Sequence, residues 1–148
     1  MSVELLVANF LRIAAEDLEG ARLLTSSNNR NAVYLCEQAA EKVIRAVVTS
    51  EGKHAGIKHE LAEIVDLIPD ENPLKPDLRA IEHLSQYATA YRYPVSSSKM
   101  KRIPRGPTAE DLRNALNATA TALSNAIKHF KVDMQRPDTP AGFAGPIR

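Results

Sequence analysis

Thiol chemistry is nearly absent from this chain, whose 148 residues include one cysteine, Cys36. A lone cysteine closes no internal disulfide. Cys36 falls among apolar neighbours, so it is expected as a reduced thiol in the core rather than as a nucleophile. Long hydrophobic runs are missing too. No segment approaches the roughly 20 consecutive apolar residues of a membrane-spanning helix. The first dozen residues lack a basic leader and are interrupted by Glu4 and Arg12, which argues against a secretory signal. A cytoplasmic location, with no membrane association, is therefore expected. Net charge is also almost nil: 19 Lys and Arg against 18 Asp and Glu leave +1, too little for a global pull toward nucleic acid or anionic lipid. Any such attraction has to be local.

Familiar chemical motifs are absent as well. Glycines at 20, 52, 56, 106, 142 and 145 form neither a dinucleotide fingerprint nor a phosphate-binding loop. One cysteine with histidines at 54, 59, 83 and 129 offers no zinc-site spacing. His59-Glu60 begins a zincin-like pattern, but Glu63 stands where the second histidine is required. No metal and no cofactor is expected. Strand-like alternation and internal repeats are likewise missing.

What remains is helical periodicity. Across residues 31–48, Ala32, Val33, Leu35, Cys36, Ala39, Ala40, Val43, Ile44, Ala46 and Val47 cover roughly half of a helical wheel. An apolar stripe of about 100° serves one neighbour, so this helix is expected to touch at least two. Its opposite side carries a polar row, Tyr34, Gln38, Glu41 and Arg45, a candidate site wall or simply a solvated face. A first helix is predicted from Ser2 to about Leu24, with Ser2 as its cap and Gly20 marking close approach of a neighbour or an early fray. Thr25 to Asn29 is too short a connector for anything but an antiparallel pair. A short third helix is predicted over residues 59–68 and a fourth from Leu78 to about Tyr93, ended by Pro94. Thr108 caps the last helix, with Glu110 and Asp111 in its first turn. Leu112, Leu116, Thr119, Leu123, Ala126, Ile127 and Phe130 form its buried stripe. The fold class expected is all-α, an antiparallel up-and-down bundle of four long helices plus one short helix. Residues 1–131 form the bundle, and 132–148 form a Pro-rich flexible tail or one draped on the surface.

Between the last two long helices runs a locally basic stretch. Starting at Arg92 it includes Lys99, Lys101, Arg102 and Arg105, with no acidic residue before Pro107. Four cations on a loop after Arg92 could gather around phosphate, although solubility alone would also explain them.

Three segments in order resemble the HEPN family: Glu37-Gln-Ala-Ala-Glu-Lys-Val-Ile-Arg-Ala46 in the second helix, Lys58-His-Glu-Leu-Ala62 opening the third, and Tyr91-Arg-Tyr-Pro94 closing the fourth. The resemblance spans about Leu6 to Phe130. It implies a bundle of four long helices with a short extra one, usually a homodimer. It also implies a place in nucleotide or RNA biology, often beside a small nucleotidyltransferase in a toxin–antitoxin or defence pair. Many members are metal-independent ribonucleases that use an arginine and a histidine separated by four to six residues. Here Arg92 matches the arginine, while the histidine positions hold Ser97, Ser98 and Lys99. Cleavage through a 2′-hydroxyl needs a proton carrier with a pKa near neutrality, which serine and lysine seldom provide.

The expected function is therefore a nucleotide- or RNA-associated binding module without the usual ribonuclease activity. Its ligand-binding candidates are Arg92, Tyr93, Lys99, Lys101, Arg102 and Arg105, facing Tyr34, Gln38, Glu41 and Arg45. One alternative is a ribonuclease toxin whose histidine comes from elsewhere, with Arg92, His59 and His83 as catalytic candidates. The other is a non-catalytic interaction subunit, whose surplus apolar surface on the second helix receives a partner.

Overall fold

A computed structural model describes residues 2–58, 60–88 and 106–143, together with the backbone of 95–96 and 101–102. Helix α1 runs Val3–Ser26, α2 Asn31–Ser50, α3 Leu61–Val65, α4 Lys75–Arg79 and α5 Ala109–His129; a 3-10 helix, Glu82–Tyr87, follows α4. The described strand pairing is a small antiparallel ribbon, β1 Val95–Ser96 against β2 Lys101–Arg102. It sets Val95 opposite Arg102 and Ser96 opposite Lys101.

Helix α2 is the axis of the bundle. α1, α5, α3, α4 and the 3-10 helix all contact it, so its wide apolar arc is enclosed from several sides. Val33, Cys36, Ala39, Ala40, Val43, Ile44, Ala46 and Val47 are at most 1% exposed. Ser2 caps α1 by accepting from Leu5 N–H at 3.1 Å. α1 and α2 pack closely at Gly20, where an added Cβ would lie 3.0 Å from Leu35 Cδ1. The chain reverses after α1 through Asn28, in the left-handed region at φ 54°. Asn29 Oδ1 then accepts from Asn31 N–H, at the first residue of α2, at 2.9 Å, whereas the N-cap Arg30 makes no side-chain capping bond.

The third and fourth predicted helices are shorter in the structure. Helix α3 starts at Leu61, whose N–H donates to Ser85 Oγ at 2.7 Å. After it ends at Val65 the turn beyond is held by lysines: Lys53 Nζ donates to Leu67 O, and Lys75 Nζ to Ile68 O and Asp70 Oδ1. The fourth segment is divided at Ile81, whose φ is −117°. Its buried residues Leu78, Ile81 and Leu84 recur every three positions. That spacing suits three residues per turn, the 3-10 geometry that the chain takes from Glu82. The end of the predicted helix, residues 89–93, lies outside the described residues.

Helix α5 begins with a reciprocal capping box between Thr108 and Asp111, which satisfies N–H groups that a helix start otherwise leaves without partners. Beyond α5, residues 132–143 drape over α1. Arg12 Nη2 donates to Asp133 O, Arg136 O and Thr139 Oγ1, each at 2.9 Å. Ala141 N–H donates to Glu4 O at 3.0 Å and Gly142 N–H to Phe130 O at 2.9 Å. The Phe143 ring rests against buried Phe130 with centroids 4.9 Å apart. No described helix is long and apolar enough to cross a membrane.

Candidate functional site

The polar row of α2 is half-buried along its whole length, Tyr34, Gln38, Glu41 and Arg45 included. Burial lies deeper here than a solvated face would give. Arg45 is held through one nitrogen of its fork: Nη2 lies 3.6 Å from Glu41 Oε1 and donates to Lys58 O at 2.7 Å. It therefore ties the 52–60 loop to α2. Gln38 Nε2 donates to Glu37 Oε2 at 2.9 Å.

Glu37 lies beside this row and is fully buried, with Oε1 lacking a hydrogen-bond partner. Burial raises its carboxyl from 4.5 to about 7; the Gln38 bond opposes the shift, the Glu41 charge adds to it and Lys42 counters it. A carboxyl poised at neutrality is a proton carrier of the kind acid–base chemistry uses. Glu37 is not among the site candidates that the sequence pattern marks out. The available signal was its place on the wheel, flanked by Val33, Ala40 and Ile44 at i−4, i+3 and i+7, which are core positions. Cys36, one residue away, is buried as expected: burial pushes its thiol up to about 11, and Sγ sits 3.6 Å from Thr119 Oγ1. It is an inert core thiol.

Two neighbouring cavities open near the start of α5, and Val33 and Pro107 line both. One, of about 430 Å³, is walled by His83, Gln86 and Tyr87 of the 3-10 helix and by Asp111 and Asn114 of α5. His83 is exposed there. The other, of about 490 Å³, includes Arg22 and Arg113 in its lining. A third hollow of about 200 Å³ holds Arg45, Lys53 and His54 beside Leu6 and Phe10. His54 Nδ1 accepts from Gly56 N–H at 2.7 Å. His129 is half-buried. Its ring meets Phe130 edge-on at 4.9 Å, and burial lowers its pKa.

Among the sequence candidates, Gln38, Glu41 and Arg45 share one face of α2, and His83 stands apart in the second cavity. Lys101 and Arg102 are described only as backbone in β2. Arg92, Tyr93, Lys99, Arg105 and His59 lie outside the described residues. Among the described residues no group of three or more His, Cys, Asp or Glu converges as a metal site.

The HEPN domain model matches residues 7–129, from the first buried turn of α1 to the end of α5. The chain belongs to the HEPN family. Its fold is similar to the crystal structure of ST0689, an archaeal HEPN homologue, with a TM-score of 0.60 and 22% sequence identity. The match covers 83% of this chain and 96% of that one. No curated protein matches in sequence. The HEPN match takes in all three segments singled out in the sequence, and α2, which carries the first, is at the centre of the fold.

Proposed function

We propose that this HEPN chain is a nucleotide- or RNA-associated binding module that works as a homodimer and lacks the family's usual ribonuclease activity. A small nucleotidyltransferase is the partner class proposed for it. The observation that carries the reading is the acid-free run of cations from Arg92 to Arg105, joined to the absence of histidine at 97, 98 and 99. The ribbon supports it, since it pairs the backbone of Val95 and Ser96 with that of Arg102 and Lys101 within this run. Concentrated cations attract phosphate by counterion release, so affinity falls steeply with salt. The polar row of α2, with Tyr34, Gln38, Glu41 and Arg45, would form the opposite wall, and Tyr93 a ring surface.

Titration with short single-stranded RNA and with nucleotides at two or more salt concentrations tests this reading. Binding that weakens with salt and with Arg92→Ala, and leaves the RNA intact, is the expected result. Absence of binding at every salt concentration refutes it. One observation favours a second reading, ribonuclease activity: His83 is exposed in a cavity beside Asp111 and Asn114. RNA cleavage that is lost in His83→Ala would establish that alternative.

A further inference from the structure

The cavity of about 490 Å³ lies between the end of α1 and the start of α5, above the first turn of α2. Its size is that of pockets which enclose small ligands, roughly 300–1,000 Å³. Arg22 of α1 and Arg113 of α5 both line it, and none of its described lining residues is acidic. Seven arginines have described side chains. Arg12, Arg45, Arg79 and Arg136 bond within the chain, and Arg30 also interacts with it. Arg22 and Arg113 make no hydrogen bond or ion pair among the described residues, and both line this cavity.

Two guanidinium groups sharing a concavity without a carboxylate repel each other and leave a positive potential. An anion relieves both, and phosphate fits best because each guanidinium can offer it two parallel N–H groups. Amide side chains surround the pair. Asn117 stands one turn beyond Arg113, and Asn28 and Asn29 come from the α1–α2 turn. Asn29 Oδ1 is occupied by Asn31 N–H, which leaves its NH2 group to donate. The start of α5 is capped by its own Thr108 and Asp111, so the arginines, not the helix end, supply the anion affinity. Beside Thr25 and Thr108 the lining has an apolar part: Val33 is 1% exposed and Leu116 8%, with Leu112 beside them. Such a surface is useless to a bare anion and suited to the face of a flat ring.

We propose that this cavity binds a phosphate monoester carried on a flat ring, of which a nucleoside monophosphate is the simplest case. Arg22 and Arg113 hold the phosphate, Asn117 and the turn asparagines bond its oxygens or the ring edge, and Val33, Leu112 and Leu116 cover the ring face. The choice of a nucleotide rests on the binding reading above. The site itself shares no residue with the cationic run 92–105, so the two can fail separately.

Calorimetric titration of the whole chain with AMP and GMP tests the proposal, with adenosine and inorganic phosphate as half-ligands. Saturable binding of at least one nucleotide, one per chain and tighter than either half-ligand, is expected. Arg22→Gln and Arg113→Gln should each weaken it by at least about tenfold, and Asn117→Asp, which brings in a carboxylate, should abolish it. These side chains are exposed, and an unchanged thermal melt verifies that each variant folds. Salt-dependent RNA binding through residues 92–105 should be unmoved in all three. No saturation by AMP or GMP at millimolar concentration, nucleotide affinity unmoved by both arginine variants, or phosphate alone binding as tightly as nucleotide would each overturn the proposal.

Discussion

Gln38 Nε2 donates a 2.9 Å hydrogen bond to Oε2 of Glu37, while the other carboxylate oxygen of this fully buried residue has no hydrogen-bond partner. One bond does not replace the hydration that a carboxylate loses on burial, which is why its pKa stands at about 7 instead of 4.5.

This shift makes stability fall as pH rises. Between the unfolded value of 4.5 and the folded value of about 7, the native chain keeps a proton that the unfolded chain has lost. Unfolding is therefore progressively favoured across that window, and the effect levels off above it. The full difference amounts to roughly 3 kcal/mol. Glu37→Gln cannot ionise. Urea unfolding at pH 5, 6, 7 and 8 should show the wild type losing stability relative to this variant as pH increases. Parallel profiles would mean that Glu37 titrates normally.

Arg12 anchors the segment after α5 through three acceptors at 2.9 Å each. Hydrogen bonds from a charged donor contribute about 1.5–3 kcal/mol each when isolated, and those of one side chain are not additive. Arg12→Ala is expected to destabilise the chain by about 2–3 kcal/mol. It should speed hydrogen exchange at the Ala141 and Gly142 amides far more than at those of α2. Uniform acceleration across the bundle would show that the segment does not open by itself.

Gly20 sets two opposing effects against each other. Alanine there gains about 1 kcal/mol of helix propensity, yet its Cβ would lie 3.0 Å from Leu35 Cδ1. Gly20→Ala alone should stay within about 1 kcal/mol of wild type. In a Leu35→Ala background, where the obstructing methyl is gone, the same change should stabilise by about 1 kcal/mol. Thermal unfolding of the four-member cycle measures this coupling, and additive effects would refute the contact.

Neutralising the cations of residues 92–105 should flatten the salt dependence of RNA binding. Each Lys or Arg that contacts phosphate contributes about −0.7 to the slope of log affinity against log salt for a single strand. Lys101→Gln with Arg102→Gln should therefore reduce the slope by about 1.4. An unchanged slope places the contact elsewhere.

Helix α2 was legible because ten small and branched apolar residues in eighteen positions leave a helix no alternative to enclosure. The division of the fourth segment was concealed, because the spacing of Leu78, Ile81 and Leu84 suits an α-helix and a 3-10 helix alike. Glu37 was hidden by its chemistry: a glutamate next to Gln38 and Glu41 looks like surface until the packing of its neighbours is known. Arg12 meets acceptors 121 to 127 residues away, a separation no local periodicity encodes. Arg22 and Arg113 came together for the same reason, through packing between elements far apart in the chain.

The 3-10 winding has a mechanical consequence for the cavity beside it. His83, Gln86 and Tyr87 stand on a segment whose i→i+3 bonds are bent and weaker than those of an α-helix, whereas the facing wall belongs to the 21-residue α5. One jaw is stiff and the other compliant. A guest of greater width is accommodated by loosening a single turn, at a cost well below that of global unfolding, while the α5 side keeps its shape.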